Sequence, residues 1–400
     1  MRVASIARLG DLTEPERSIT YGVVKPGPEH EDGILFVRGG DVLGGRIAID
    51  GLRTIAPTVS AEYKRTLLRG GELLVSLVGN PGEVAIAPET LIGANIARQV
   101  GLVALRSEIN TQYVMYYLMS PRGRADLFAQ TGGAVQQVIN LADLKRVEVP
   151  LPPRLQQDRI ADILSAYDDL IENNRRRMSL LEDAARELYR EWFVRLRFPG
   201  HEHTRITNGV PEGWAAKTLG DLCEEVRESV KPDALEPDTP YIGLQHMPRR
   251  SISLSDWGRA EQVTSSKHRF REGEILFGKI RPYFHKVGTA FVDGVASSDA
   301  IVIRPIEPKV RGFVLMTVSS DAFVAVTAQT MREGSKMPRA DWKQMQAYPT
   351  PLPLDGLLGS FQSAIQPVVE QLRSLTFANQ KLRAARDLLL PRLMSGEVAV

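Results

Sequence analysis

A single cysteine, Cys223, stands in 400 residues. It excludes an internal disulfide framework and leaves no thiol cluster for a structural metal, which fits a reducing compartment and a cytoplasmic protein. No apolar run reaches membrane-spanning length, and Met1 to Asp11 has neither a continuous hydrophobic core nor a cleavage pattern, so secretion and membrane insertion are not expected. Charge of one sign is also scarce. Fifty Lys and Arg against 48 Asp and Glu leave +2, so global charge announces no nucleic-acid partner and any such partner has to be argued locally. Catalytic signatures are missing as well. Gly39 to Gly45 lacks the Lys-Ser/Thr ending of a phosphate loop and reads as a turn, and His201-Glu202-His203 has no further His or Cys near it. Asn80-Pro81-Gly82-Glu83 lacks the second proline and the aromatic of an adenine-methyltransferase motif. There is no Ser/His/Asp signature and no nuclease-like carboxylate pair with a lysine.

What is present is hydrophobic content of 43%, ample for two globular domains, and a pattern that occurs twice. Leu9-Gly10-Asp11-Leu12 matches Leu219-Gly220-Asp221-Leu222, and Gly71-Glu72-Leu73-Leu74 matches Gly273-Glu274-Ile275-Leu276. Asp143-Leu144-Lys145 matches Asp341-Trp342-Lys343, and Pro150-Leu151-Pro152 matches Pro351-Leu352-Pro353. The near-constant offset of about 200 residues marks a tandem duplication. Within the copies, strands are expected at Gly70 to Gly79, Glu83 to Ala87, Val147 to Pro153, Glu274 to Gly278, Gly288 to Val292 and Ser297 to Arg304, with helices at Thr111 to Leu118 and Phe313 to Thr327.

Each copy closes on a long amphipathic stretch. From Leu155 to Phe198 a three-four spacing runs through Ile160, Ile163, Tyr167, Leu170, Asn174, Leu181 and Leu188. Leu164, Ile171, Met178, Ala185 and Trp192 widen the face, and Arg175 to Arg177 interrupt it. The closing stretch repeats the rule at Phe361, Ile365, Val368, Leu372, Leu375, Asn379, Leu382 and Leu389, with Arg386 as its charged interruption. Helices of some forty residues would be about 60 Å long, the length of struts. Asn174 follows Ile160 by the interval that separates Asn379 from Ile365, which predicts that the two asparagines meet midway along an antiparallel pair. A homodimeric coiled coil is the alternative. The reading is therefore an α+β chain: two globular mixed α/β domains, residues 1–153 and 199–353, separated by two long helices, 154–198 and 354–400, packed as an antiparallel coiled coil in a pseudo-two-fold tandem repeat, with the globular units at opposite ends.

Basic residues interleaved with aromatics supply the local charge argument. The second copy carries Lys267, His268, Arg269 and Arg271, then Lys279, Arg281, Tyr283, His285 and Lys286, then Arg332, Lys336, Arg339 and Lys343. Lys and Arg contact phosphates and Arg reads guanine bidentately, while Gly and Pro let loops approach a groove. A solvated basic face is the plainer alternative. The first copy offers a thinner set, including Arg38, Arg46, Gln136 and Gln137.

These features, together with Pro150-Leu151-Pro152-Pro153, Gln157, Trp192-Phe193-Val194, Pro211-Glu212-Gly213-Trp214 and Arg386 through Glu397, resemble the specificity (S) subunits of type I restriction-modification enzymes. The first copy lacks the Pro-Glu-Gly-Trp lead-in. The resemblance implies a noncatalytic, sequence-specific reader of bipartite, asymmetric double-stranded DNA sites, each globular unit being a target-recognition domain and the helices spacing the half-sites. It implies two modification (methyltransferase) subunits and restriction (translocase/nuclease) subunits as partners, with S-adenosylmethionine, ATP and Mg in those partners and no cofactor or metal in this chain. It makes Lys279, Arg281, Tyr283, His285, Lys286, Lys336, Arg339, Arg38, Gln136 and Gln137 the candidate DNA contacts. A DNA-modifying or DNA-cleaving enzyme in its own right, and a coiled-coil scaffold without DNA binding, are the competing readings.

Overall fold

The computed structural model describes residues 5–129, 138–329 and 338–400. The chain divides into two compact units, one running up to Leu170 and completed by Leu382–Val400, the other Ile171–Lys381. Each unit contains one globular domain and a segment of both long helices.

In the first unit, Leu73–Ser76 is a fully buried strand between Val84–Ile86 and Val100–Val103, and Thr20–Tyr21 forms the far edge of that sheet. A second sheet pairs Ile34–Val37 with Arg53–Ile55 on one side and, in parallel, with Asn95–Ile96 on the other. The second unit repeats the scheme with longer sheets. Ile275–Gly278 lies between Val287–Ala290 and Ala300–Pro305, and Pro240–Ile242 runs parallel to Gly294–Ala296. Strands end within a few residues of the sequence-based positions. One expected helix does not: Phe313 to Thr327 is two helices, Arg311–Val318 and Asp321–Gln329, bent by 63°. The Ser320 hydroxyl accepts from Phe323 N at 3.2 Å, so a new helix is capped where the first one stops. Ser120 does the same for Gly123 in the first unit. Among the described residues no single helix is long and apolar enough to cross a membrane, and the residues of this bent pair that lie in the core are packed into the second unit.

The repeated motifs mark structural necessities. In Gly-Glu-Leu/Ile-Leu the glutamate is buried: Glu72 accepts from Arg69 N and from Arg17 at 2.9 Å, and Glu274 accepts from Arg271 N and from Arg304 at 2.5 Å. In Leu-Gly-Asp-Leu the glycine allows close passage of the segment leaving the domain. A Cβ on Gly10 would meet Lys145 Cβ at 3.1 Å, and one on Gly220 would meet Gln346 Cβ at 3.1 Å. Each domain is also held to its helix by a glutamine. Gln157 Oε1 accepts from Asn110 N at 3.1 Å, and Gln362 Oε1 accepts from Gly312 N at 2.8 Å, in both cases satisfying a backbone donor at the start of a helix.

The long helices span Arg154–Tyr189, continued by a π-helical turn Arg190–Val194, and Asp355–Ser395. Within each unit they run antiparallel. In the first, Ile160 and Leu164 share a core with Leu390 and Leu393, and Asp168 pairs with Arg386. In the second, Asn174 Nδ2 donates to Asn379 Oδ1 at 3.0 Å while Trp192 packs on Phe361 with ring centroids 5.8 Å apart. The apolar column on the first helix differs from the expected one. Ile160, Ala161, Leu164, Ile171 and Ala185 are its buried apolar residues, whereas Leu170 is 52% exposed. The domain packed beside the helix pulls the buried face toward that neighbouring column. Arg386 lies on the seam, as its spacing implies, and its charge is matched by Asp168, which also accepts from the Tyr116 hydroxyl at 2.7 Å.

Asn379 is 4% exposed; its Oδ1 accepts from Asn174, and its Nδ2 donates to the sulfur of Met178 at 3.9 Å. Asn174→Leu should therefore cost about 1–3 kcal/mol by stranding that amide oxygen, and adding Asn379→Leu should restore wild-type stability or exceed it. Urea unfolding of the two variants is the measurement. A double variant no more stable than the single one would remove the pair from the account of the seam.

Candidate nucleic-acid interface

In the second unit three backbone segments meet at the end of the central strand Ile275–Gly278. Lys279 N donates to Asp299 O at 2.7 Å, Ala340 N donates to Lys279 O at 2.8 Å, and Arg281 N donates to Pro338 O at 2.9 Å. Ile280 and Arg339 form an antiparallel bridge across the junction. From it projects the turn Pro282–Phe284, flanked by Arg281 at φ 50° and His285 at φ 53°. Left-handed backbone is unusual for such side chains, and Arg250, at φ 55°, adds a third case. Arg250 N donates to His285 O at 2.8 Å, tying the neighbouring loop to this one.

The candidate residues separate on this frame. Arg281, Tyr283 and Arg339 are exposed, and Lys279 is half-buried beside them. Tyr283 packs edge-on against Phe284, with centroids 5.0 Å apart, and Arg339 lies 3.5 Å from Asp299. Lys286 is partly withdrawn: its ammonium donates to Leu244 O at 2.5 Å, and desolvation, with Arg249 adding repulsion, lowers its pKa. His285 must be corrected. It is 7% exposed, its Nε2–H donates to Ser319 O at 2.8 Å, and burial holds its pKa below 6.5, so it is a neutral bolt beneath the loop and not a surface contact. Arg38 is also less free than expected. Its fork holds Asp41 at 3.0 and 3.1 Å, which raises its pKa and commits much of its donor capacity. Lys336, Gln136 and Gln137 lie outside the described residues.

The first unit builds the same junction from different side chains. Leu77 N donates to Gln99 O at 2.7 Å and Ile139 N donates to Leu77 O at 3.1 Å, the counterparts of the Lys279 bonds. Gly79, at φ 97°, takes the place of Arg281, and the residues exposed there include Val78, Asn80, Arg98 and Val138. One backbone frame thus carries Arg281 and Arg339 in one domain and Gly79 and Val138 in the other.

Residues 23–183 match the family described as type I restriction modification DNA specificity domain. The chain is 24% identical to the MjaIX specificity subunit of a type I restriction enzyme from Methanocaldococcus jannaschii, over 88% of this chain and 83% of the relative. It is 33% identical to the EcoBI specificity subunit from Escherichia coli over 41% of this chain and 35% of the relative. The chain is similar to type I restriction enzyme specificity subunits. The fold agrees: the crystal structure of a type I restriction-modification system S subunit from M. genitalium superposes with a TM-score of 0.56 at 15% identity, covering 98% of this chain and 96% of that one.

Three residues around the second junction carry no clear signal in the sequence. Arg249 is exposed and lies over the Phe284 ring at 4.1 Å. Glu182 and Arg186 belong to the first long helix and grip the loop before the junction. Buried Glu182 accepts from the Ser251 and Ser253 hydroxyls at 2.7 and 2.6 Å and from Arg186 at 3.0 Å, while Arg186 also donates to Arg250 O at 2.5 Å. A glutamate on a helix otherwise rich in surface charge gives no sequence signal of such burial. The one available hint is its place four residues before Arg186.

His285 sets a pH dependence. Its folded pKa lies below the unfolded value of 6.5, because burial outweighs the attraction of Asp321. Its contribution is therefore complete above pH 6.5 and is lost as pH falls through the folded pKa, since the unfolded chain takes up the proton first. His285→Asn, which tolerates left-handed backbone, should unfold with a weaker dependence between pH 7 and pH 5 (about the range where histidine titrates). Parallel urea curves for wild type and variant across that range would remove the histidine from the acid response.

Proposed function

We propose that this chain is the noncatalytic DNA-reading subunit of a type I restriction-modification complex, working in the cytoplasm on a bipartite, asymmetric site. The observation that carries this reading is the duplicated backbone junction with unlike exposed side chains. Two equal frames suit two half-sites, and Arg281, Tyr283 and Arg339 against Gly79, Val78 and Val138 make the halves differ. Arginine forks suit phosphates and guanine edges, whereas exposed valines suit thymine methyl groups.

The regular part of the first long helix has 36 residues and is about 54 Å long. Two modification subunits would dock on the helices and bring S-adenosylmethionine, and restriction subunits would bring ATP and Mg. This chain supplies sequence recognition and geometry.

Replacing residues 1–150 with the corresponding domain of a relative should change one half of the methylated sequence and leave the other half and the spacer intact. Mapping modified adenines in DNA from cells carrying the chimera and its partners reads the result. A swap that altered both halves, or a native target without a gap, would overturn the two-reader architecture.

A further inference from the structure

Two exposed arginines near the second junction share one aromatic ring. Arg249 and Arg281, from different loops, have their guanidinium carbons 4.1 and 5.8 Å from the centroid of Phe284. Both are exposed, and among the described residues neither has a carboxylate partner. Their neighbours differ in this respect: Arg250 holds Asp321 at 2.8 Å and Arg339 faces Asp299 at 3.5 Å.

Bringing two like charges to one ring without an acid is unfavourable unless an anion completes the arrangement. The frame beneath them is firm. Phe284 N donates to Arg281 O at 2.8 Å, Tyr283 supports the ring edge-on, and the bond from Arg250 N to His285 O fixes the Arg249 loop to the Phe284 turn. The ring gathers two guanidinium groups from different loops, and guanidinium forks suit a phosphate group.

We propose that Arg249 and Arg281, stacked on Phe284, form a two-arginine clamp for a single backbone phosphate of duplex DNA. The clamp rests on the DNA-reading function proposed above and adds to it a contact that fixes position without reading sequence. Arg249 is a positioning residue: it neutralises a phosphate so that the junction loops meet the bases in one register.

Binding of the full-length chain to two fluorescein-labelled duplexes of unrelated sequence, followed as salt is raised, tests the clamp. Arg249→Ala should weaken both duplexes alike and flatten the dependence of log affinity on log salt by less than about one unit, because Arg281 still reaches the phosphate. Because both arginines grip the same phosphate, Arg249→Ala/Arg281→Ala should flatten it by no more than about one unit. Thermal unfolding should be unchanged, since both side chains are exposed. A wild-type slope in Arg249→Ala overturns the clamp while leaving DNA reading intact. A loss confined to one duplex, or a double variant flattened by about two units, overturns the shared phosphate. A wild-type chain without salt-dependent binding to either duplex overturns the clamp and the DNA-reading function together.

Discussion

Polar groups on a buried helix seam must find matching polar groups, and in this protein that requirement sets the register of the long helices. Asn174 meets Asn379, Asp168 meets Arg386 and Tyr116, and Glu182 meets Ser251, Ser253 and Arg186. An apolar stripe alone would tolerate sliding, because leucine against leucine is similar one turn along. A slip of one helical turn, about 5.4 Å, would strand an amide or a carboxylate in a desolvated place, where each orphan costs about 1–3 kcal/mol or more.

Much of this was legible in the sequence because spacing carries the information. The repeat motifs record obligate contacts: a buried Glu72 or Glu274 that caps a turn, and a Gly10 or Gly220 that lets another segment pass. The second helix kept its expected stripe from Phe361 to Asn379, with Leu390 and Leu393 buried in place of Leu389 near its end, and the asparagines were found through their equal intervals. The first helix was harder. Its most buried column is set by the domain alongside, which periodicity within the helix does not encode, and so Leu170 was misassigned to the interior.

The interface was legible only in outline. A run of Lys, Arg and Tyr locates a basic loop, but sequence does not tell which side chains turn inward. His285 lies among surface residues in the chain and beneath them in space, because left-handed backbone on either side of Pro282–Phe284 redirects the loop. Arg249 was overlooked for the complementary reason. Its ring partner is distant in sequence, and only folding brings the two loops together.

Arg281 and Gly79 occupy the same place in the two domains, both with positive φ. This backbone restricts the alphabet available to that position. Branched residues such as Val, Ile and Thr clash there, and Pro is forbidden outright, whereas Gly, Asn, Asp and a few long unbranched side chains are admitted. Changes of recognition through this position are therefore confined to a short vocabulary, and a lineage that needs a methyl-bearing side chain must place it next door, where Val78 and Ile280 already stand.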